Sequence, residues 1–484
     1  MTIRAVFFDM GGTIQTFGYT PELRLAATPG LRELLASAGI DLHLDDQALY
    51  QLVSDGLASY HQWSLQSLEE LPPQRVWRDY ILMGYPVDSN ITASLAESLM
   101  FFIETEYYHR EMRPEMPAVL EAIQRMGLKI GLISNVCSRG QVPANLDEYG
   151  LRHFFNPIVL SSEYGRRKPD PAIFHYAARL ADVPTSECLY AGDRIARDIV
   201  GAQKAGFRYA VQIRHDFTHR EVDEGATPDV VIDRMTELLD FIESDRTKAS
   251  AETLTLSADP QRVCALLFDA GDILYQRPEK GKKFAAFLGE LGLDKSNVNP
   301  VDLETAMYQA YRGQINQDQY REAILRANGI TQPEQIERGK KILAEEDDSV
   351  EFFEGVQKTL VALKGKGFLL GIVTDTANPI HVKLEWFEQG GFVHVWDSII
   401  SSQEVGVRKP DPAIYCAAMR QLGVTSERAV FVGHKASELE GARAVGMRTI
   451  AFNYEDSAKA DFYIQKFSEL LTLPVIALRV KTSE

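Results

Sequence analysis

The sequence predicts an α/β protein of two tandem domains, each built on a doubly wound parallel sheet with a helical cap inserted after its first strand. Three observations predict this architecture. Four sequence blocks occur twice in the same order, short apolar runs alternate with helical patterns in both copies, and a helical stretch breaks the alternation after the first run of each copy. A chain of 484 residues is also too long for one ordinary core.

The internal repeat sets the predicted domain boundaries. Its paired blocks are AVFFDMGGTI at 5–14 with ALLFDAGDIL at 265–274, MGLKIGLISN at 126–135 with KGFLLGIVTD at 366–375, SSEYGRRKPDPAIF at 161–174 with SSQEVGVRKPDPAIY at 401–415, and CLYAGDRIARDIVGAQKAGF at 188–207 with AVFVGHKASELEGARAVGM at 429–447. The predicted domains are residues 1–245, with core 1–16 and 114–245 around a cap at 17–113, and residues 261–484, with core 261–280 and 349–484 around a cap at 281–348. The polar segment 246–260, rich in Ser, Thr and Ala, is predicted to be the linker.

The core of the first domain alternates strands and helices. Apolar runs that end at polar or Gly-rich turns predict buried strands at 6–8, 129–133, 158–160 and 189–191. The pattern at Ala118–Met126 predicts a helix that Gly127 ends, and Asp170 with Pro171 predicts an N-cap and a first turn. This alternation predicts a parallel sheet, in which ligands bind at the carboxyl ends of the strands.

The first cap is predicted to be entirely helical. Thr28 and Pro29 are predicted to start a helix with leucines 31, 34 and 35 on one face, and further helical patterns cover 47–63, 74–82 and 91–108. Trp63, Trp77, Arg78 and Tyr108 lie within this predicted cap. Trp and Tyr at such positions more often form the core of a cap than contact a substrate.

Composition excludes several classes of function. A net charge of −17 argues against a nucleic-acid-binding surface. No apolar run approaches the roughly 18 residues of a membrane span, and the apparent core strand in MTIRAVFFDM leaves no room for a signal peptide. The cysteines are far apart, without a CxxC pair, which is typical of reduced core residues. We therefore expect a cytoplasmic protein without nucleic-acid or membrane partners.

Polar residues of the first domain follow its predicted strands. Asp9, Ser134 and Asp193 each end or closely follow a strand, and Lys168 lies in the loop after another. Taken singly, each of these could be a turn cap or a solvated surface group. A carboxylate nucleophile, a lysine and the Asp193–Asp198 pair together favour a phosphate site with Mg²⁺, because that ion prefers oxygen ligands.

The four blocks resemble the haloacid dehalogenase superfamily, in the subgroup with a helical cap after the first strand, over nearly all of both halves. The resemblance implies hydrolysis of a small phosphorylated metabolite through an aspartyl-phosphate on Asp9. The implied Mg²⁺ ligands are the Asp9 carboxylate, the Gly11 carbonyl and Asp193, with Asp198 as a supporting acid. The implied phosphate-binding residues are Gly11, Gly12, Ser134, Asn135 and Lys168, of which Ser134 and Lys168 act with Asp9 in catalysis.

The sequence departs from the family pattern at Gly11. Phosphatases of this family usually carry a second Asp there, two residues after the nucleophile, as the general acid and base. Losing positioned proton transfer typically lowers a rate by about 10²–10⁴. A good leaving group or an acid from the cap would offset the loss, and His61, His109 and Glu111 are candidates for that acid.

The second copy is a degenerate version of this site. Asp269, Thr374 and Lys409 remain, but His434 replaces the main metal-binding Asp, and Glu438 is the nearest counterpart of Asp198. Histidine is a poor Mg²⁺ ligand, so we expect a structural or regulatory domain that pairs with the first one within the chain. The retained lysine and threonine could still hold an anion.

Three alternatives stay open at this stage. A tandem pseudo-phosphatase would bind a phosphorylated ligand or a protein and turn nothing over, as Gly11 and His434 would suit. A dehalogenase proper needs no metal, which would leave the Asp193–Asp198 pair unexplained. Phosphoryl transfer to an acceptor other than water is the third.

Overall fold

The structure is a computed structural model that describes residues 2–214, 225–253, 262–293 and 298–477. The chain divides into two compact units, Met1–Leu256 and Ser257–Glu484. Residues 246–253 of the predicted linker belong to a helix at Glu237–Thr253. This segment contains Ala, Lys and Glu and has no Gly or Pro, so it favours a helix over a loop. Residues 254–260 of the predicted linker lie outside the described residues.

A six-stranded parallel sheet forms the centre of the first unit. The strands of this unit are β1 (Ala5–Phe8), β2 (Gln15–Gly18), β3 (His109–Met112), β4 (Lys129–Ser134), β5 (Ile158–Leu160), β6 (Cys188–Gly192), β7 (Tyr209–Ile213) and β8 (Val230–Ile232). The order in the sheet is β5-β4-β1-β6-β7-β8. The predicted doubly wound α/β fold is confirmed, and β1 lies between β4 and β6, where the strand order reverses.

Helices cover both faces of this sheet. The helices of the first unit are α1 (Pro21–Ser37), α2 (Asp46–Ser67), α3 (Pro73–Val76), α4 (Ser89–Glu106), α5 (Met116–Arg125), α6 (Gln141–Glu148), α7 (Ser161–Tyr164), α8 (Pro171–Leu180), α9 (Val200–Lys204) and α10 (Glu237–Thr253), with short π-helices at Trp77–Ile81 and Ile195–Ile199. Val6 and Phe8 of β1 pack into one apolar cluster, and Ala5 and Phe7 pack into another. Because both faces are covered, the strands read as continuous apolar runs.

The cap consists of α1 to α4 and is not entirely helical as the sequence analysis expected. Its two connections to the core, β2 and β3, pair as an antiparallel ribbon. The predicted helix start at Thr28 is also wrong, since α1 begins at Pro21 and its N-cap is Thr20. Pro29 lies inside α1, and the Thr28 hydroxyl donates to the Arg24 carbonyl 2.9 Å away. The helix is therefore started by an earlier Thr-Pro pair, Thr20 and Pro21, and not by Thr28 and Pro29.

The second unit repeats the plan. Its strands are β9 (Ala265–Phe268), β10 (Tyr275–Gln276), β11 (Glu351–Phe352), β12 (Leu369–Thr374), β13 (Ser398–Ser401), β14 (Ala429–Gly433), β15 (Arg448–Phe452) and β16 (Phe462–Ile464), and six of them form a sheet in the order β13-β12-β9-β14-β15-β16. Its helices are α11 (Lys282–Glu290), α12 (Pro300–Tyr311), α13 (Gln317–Ala327), α14 (Pro333–Asp347), α15 (Val356–Gly365), α16 (Ile380–Gln389), α17 (Ser402–Val405), α18 (Pro412–Leu422), α19 (Ala436–Ala444) and α20 (Pro474–Ala477). The first four of these helices form its cap. None of the helices in the described parts of the chain is long and apolar enough to cross a membrane.

Candidate active site

Lys168 lies at the centre of a buried charge cluster in the first unit. Its Nζ is 2.6 Å from Asp9 Oδ1 and 2.6 Å from Asp198 Oδ1. It also donates to the hydroxyl of Tyr190 at 2.7 Å. Asp9 follows β1 and Asp198 lies in the π-helix after β6, so the neighbouring carboxyl ends of these two strands bring the groups together.

Asp198 is the second carboxylate that binds Lys168. Its Oδ1 accepts from Lys168 and from Tyr190, and its Oδ2 accepts from the backbone N–H of Arg194 at 3.0 Å. Both of its oxygens are therefore occupied within the protein. By contrast, no described residue donates a hydrogen bond to Asp9 Oδ2, which leaves that oxygen for a ligand.

Three carboxylates converge beside the lysine. One oxygen from each of Asp9, Asp193 and Asp198 lies within 4.8 Å of the others. Gly12 makes room for this arrangement, because a Cβ at that position would lie 2.3 Å from Asp193 Oδ2. The backbone of Gly12 also has φ +84°, which L side chains rarely adopt. A set of hard oxygen donors fits a small divalent cation such as Mg²⁺.

Burial and the charges of the cluster together shift two pKa values in opposite directions. Burial, together with the charges of Asp198 and Asp193, raises the pKa of Asp9 to about 7 despite the opposing effect of Lys168. Burial also acts to raise the pKa of Asp198, but the charges of Lys168 and Arg197 outweigh it and leave this pKa below its ordinary value. Three carboxylates with one ammonium carry a surplus of negative charge that a bound cation would offset.

A cavity of about 200 Å³ opens above Asp9. Its lining includes the predicted site residues Asp9, Gly11, Ser134, Asn135 and Lys168. Gly12, Asp193 and Asp198 are not among the described residues that line it, so they lie behind this surface. The Asn135 side chain bonds the backbone of Lys168 in both directions, at 2.8 and 3.0 Å. Asn135 therefore fixes the lysine loop, a role that the sequence analysis did not assign to it.

The acid candidates from the sequence do not reach this cavity. None of His61, His109 and Glu111 is among the described residues that line it. Glu104, at the end of α4, does line it, and besides Asp9 it is the only carboxylate in the described lining. Burial raises the pKa of Glu104 to about 7, so its carboxyl group can hold a proton near neutral pH.

Two carboxylates of the cap accept hydrogen bonds from the core loop that follows β4. Glu104 accepts from the backbone N–H groups of Cys137 and Ser138 at 2.9 and 2.8 Å. Glu97 accepts from the Ser138 hydroxyl and from the backbone N–H groups of Arg139 and Gly140 at 2.8 to 3.2 Å. These bonds hold the cap over the cavity.

Comparison with known proteins identifies the family. The family model described as haloacid dehalogenase-like hydrolase matches residues 3–206, and a second model with the same description matches residues 296–452. A probable phosphoglycolate phosphatase from Pseudomonas savastanoi is 33% identical over 117 residues, which cover 24% of this chain and 71% of that protein. The chain belongs to the haloacid dehalogenase-like hydrolases. The sequence resemblance is thus confirmed for both halves.

The matched part of this chain covers different shares of its other relatives. A glyceraldehyde 3-phosphate phosphatase from Methanopyrus kandleri is 29% identical over 246 residues, which are 50% of the hydrolase and 97% of that relative. The matched region covers 48% of the corresponding phosphatase from Pyrococcus furiosus. The crystal structure of a predicted phosphoglycolate phosphatase from Haemophilus somnus 129PT matches with a TM-score of 0.35 and 17% identity, over 44% of the hydrolase and 99% of that chain.

The second unit of the hydrolase keeps the lysine but changes its surroundings. Lys409 Nζ is 2.7 Å from Asp269 Oδ1 and 3.2 Å from Glu438 Oε2. His434 Nε2 lies 3.5 Å from Asp269 Oδ2. Thr374 ends β12 and is buried, as Ser134 is at the end of β4. The four residues of the predicted degenerate site therefore lie at the same edge of the second sheet.

Sequence reasoning missed several residues of the first cavity. Glu104, Arg110 and Arg197 line it, yet only Arg197 had a local signal, since it lies within the GDRIARD block. Among the cap residues named from the sequence, Trp77 is fully buried in the cap and Tyr108 lines the cavity. Glu104 and Arg110 lie in the cap and its ribbon, and only the folded chain places them opposite Asp9.

Proposed function

We propose that the first unit is a Mg²⁺-dependent hydrolase of a small phosphomonoester. The observation that supports this most strongly is the position of Lys168 Nζ, 2.6 Å from both Asp9 and Asp198, in a residue that lines the cavity. Relatives named as phosphatases of glyceraldehyde 3-phosphate and of phosphoglycolate favour a small phosphorylated substrate, which suits a cavity of about 200 Å³.

Asp9 is the proposed nucleophile. One carboxylate oxygen attacks phosphorus, the bond from phosphorus to the leaving oxygen breaks, and an aspartyl-phosphate forms. Water then attacks the phosphorus, which releases inorganic phosphate and restores the carboxylate. Lys168 and Ser134 bind the phosphoryl oxygens, and Asp198 keeps the lysine in position. Mg²⁺, held by Asp9, Asp193 and the Gly11 carbonyl, would supply charge that offsets the repulsion between the nucleophile and the phosphate.

We further propose Glu104 as the acid that serves the leaving group in place of the residue lost at Gly11. It lines the same cavity as Asp9, and its raised pKa leaves part of it protonated near pH 7. The proton passes from the carboxyl group to the departing alkoxide oxygen. Reverse transfer, from the attacking water to the Glu104 carboxylate, prepares the second step.

Hydrolysis of an activated aryl phosphate by the full chain tests the proposal. We expect turnover that requires Mg²⁺, stops with EDTA, and is lost in Asp9→Asn. Asp269→Asn, the same change in the second unit, is the matched control and should keep the activity. Turnover that persists in EDTA or in Asp9→Asn would overturn the proposal. No turnover in either variant or in the parent, with anion binding retained, would favour a non-catalytic binding module. Products formed with added sugars would reveal transfer to acceptors other than water.

The second unit is proposed to have a structural or regulatory role without turnover. His434 stands where the first unit has the carboxylate of Asp193, and histidine suits Mg²⁺ poorly. The predicted pairing of the two units within the chain stays a prediction.

A further inference from the structure

Lys383 of α16 is a buried lysine that takes no part in either of the sites described above. Three lysines are buried in the described parts of the chain, Lys168, Lys383 and Lys409. Lys168 and Lys409 each lie within ion-pair distance of two carboxylates. The described residues place no carboxylate within that distance of Lys383, whose Nζ donates to the hydroxyl of Tyr275 at 2.9 Å. Lys383 therefore differs from the two other lysines because it lacks a counter-ion.

The surroundings of Lys383 disfavour its charged form. The residue is 4% exposed, and the ring of its partner Tyr275 packs against Phe352 and Trp386. An ammonium group that is buried without a carboxylate partner is costly, so a lysine in such a place tends to give up its proton. The product is an uncharged amine with a free lone pair.

Burial lowers the pKa of Lys383 to about 7. The charges of Arg277 and Lys409 act in the same direction, and the charges of Asp269 and Asp347 oppose them. About half of the Lys383 side chains are therefore uncharged at pH 7, whereas a lysine with the ordinary pKa of about 10.4 is almost entirely protonated there. An uncharged lysine is a nucleophile for carbonyl carbon.

Lys383 and Tyr275 both line a cavity between the core and the cap of the second unit. Its volume is about 320 Å³, and sites for small molecules typically have about 300–1,000 Å³. Six carboxylates and six Lys or Arg side chains are among the described residues that line it, so the lining favours neither a strongly anionic nor a strongly cationic ligand. The feature that sets this cavity apart from the first one is an amine next to a hydroxyl group.

We propose that Lys383 binds a small aldehyde or ketone as a Schiff base. The lone pair of Nζ attacks the carbonyl carbon, a C–N bond forms, and one proton moves from the nitrogen to the carbonyl oxygen. The second proton of the nitrogen then moves to the same oxygen, the C–O bond breaks, and water leaves. A C=N bond now joins the ligand to the lysine.

The hydroxyl of Tyr275 passes both protons from the nitrogen to the oxygen, because it is the hydrogen-bond partner of Nζ. Addition of water reverses the reaction, so the site is occupied only while the carbonyl compound is present. The second unit thus has a ligand chemistry of its own, which does not depend on hydrolysis at Asp9.

Reductive labelling of the full chain with propanal and cyanoborohydride tests this proposal. Cyanoborohydride reduces the C=N bond and leaves a propyl group on the lysine, which peptide mass spectrometry locates. At pH 7 we expect Lys383 to be labelled at least tenfold faster than Lys282, an exposed lysine of the same unit. In guanidinium chloride, which unfolds the chain, the two lysines should be labelled at equal rates, because the difference comes from the fold.

Two tyrosine variants test the role of the hydroxyl. Tyr275→Phe should slow the labelling of Lys383 at least tenfold. Tyr320→Phe is the matched control, since it removes a hydroxyl from the same cavity that is not bonded to Lys383, and it should leave the rate unchanged. Equal labelling of Lys383 in the two variants would overturn the role of Tyr275.

The Schiff base itself is overturned if Lys383 is labelled no faster than Lys282 in the folded chain, or if its faster labelling persists in guanidinium chloride. Both results are measured without a phosphate ester. They therefore stand apart from the outcome of the hydrolysis assay.

Discussion

The guanidinium group of Arg167, which precedes Lys168, forms a buried ion pair with Glu70 of the cap. The side chain of Glu70 is fully buried and that of Arg167 is 9% exposed. Glu70 also accepts a bond of 2.6 Å from the hydroxyl of Ser161. Backbone bonds run alongside the pair, from Glu70 N–H to the Gly165 carbonyl and from Arg167 N–H to the Leu68 carbonyl. The cap therefore braces the loop that carries the proposed phosphate-binding lysine.

Removing the charge of Glu70 should destabilise the first unit strongly. Glu70→Gln leaves Arg167 buried without its counter-ion, which typically costs about 3–5 kcal/mol. Glu69→Gln is the neighbouring control, since Glu69 is half exposed and 3.8 Å from Arg166, and such pairs contribute about 0–1 kcal/mol. Thermal and urea unfolding measure both changes. Equal shifts in the two variants would show that the buried pair does not brace the loop.

Glu104→Gln should lower the turnover of phosphate esters and remove one limb of the pH profile. The reason is that a carboxyl group with a pKa of about 7 can exchange its proton near neutral pH and an amide cannot. Glu97→Gln is the matched control, because Glu97 binds the same core loop but is not in the described cavity lining. The measurement is kcat against pH for a poorly activated ester. A profile that changes equally in both variants would assign Glu104 to loop binding alone.

Replacing Gly11 by Asp should rescue the Glu104→Gln variant. A Cβ at Gly11 would be 3.5 Å from the nearest ring atoms of Phe17, so the position has room for a side chain. A carboxyl group there would restore proton transfer, and we expect at least a tenfold gain out of the about 10²–10⁴ that such catalysis contributes. Gly11→Asn has the same size without the acid and should give no gain.

Gly12→Ala should abolish Mg²⁺-dependent activity while Gly11→Ala keeps most of it. A Cβ at position 12 would lie 2.3 Å from Asp193 Oδ2 and would require a left-handed backbone that alanine avoids. The Mg²⁺ concentration that gives half-maximal activity measures the effect. If both alanine variants need the same Mg²⁺ concentration as the parent, Asp193 does not bind the metal.

His175 should make the first unit less stable in acid. Burial lowers the pKa of this side chain to about 3, and neither ring nitrogen has a hydrogen-bond partner among the residues described. In the unfolded chain the imidazole titrates near 6.5, so the unfolded state binds one more proton between these pH values. Stability is therefore complete above about pH 6.5 and falls towards pH 3, by at most about 1.4 kcal/mol per pH unit. Urea unfolding of His175→Leu should lack this part of the slope, and an unchanged slope would contradict the assignment.

Sequence patterns predicted the sheet because both of its faces are covered. Strands such as β4 and β6 are continuous apolar runs. The internal repeat shows each of the four sequence blocks twice. The antiparallel ribbon of β2 and β3 was missed because its two strands are about 90 residues apart in the chain and partly exposed, so no local pattern marks the pairing.

The site could be predicted only where it follows the core strands. The sequence predicted that Asp9, Ser134 and Asp193 lie together because strand ends in a parallel sheet meet at one edge. The ends of α4 and β3 bring Glu104 and Arg110 to the cavity, and their position depends on how the cap closes. Tyr190, which holds Lys168, lies within β6 and looked like an ordinary core residue.

Chemical trapping of the covalent intermediate tests the central claim most directly. Borohydride reduces an acyl phosphate to an alcohol, so quenching the protein during turnover should convert Asp9 to homoserine, which peptide mass spectrometry detects. We predict this product at Asp9 when Mg²⁺ and a phosphate ester are both present, and an unchanged side chain at Asp269. Hydrolysis that proceeds with Asp9 unmodified, or homoserine at another aspartate instead, would contradict the account.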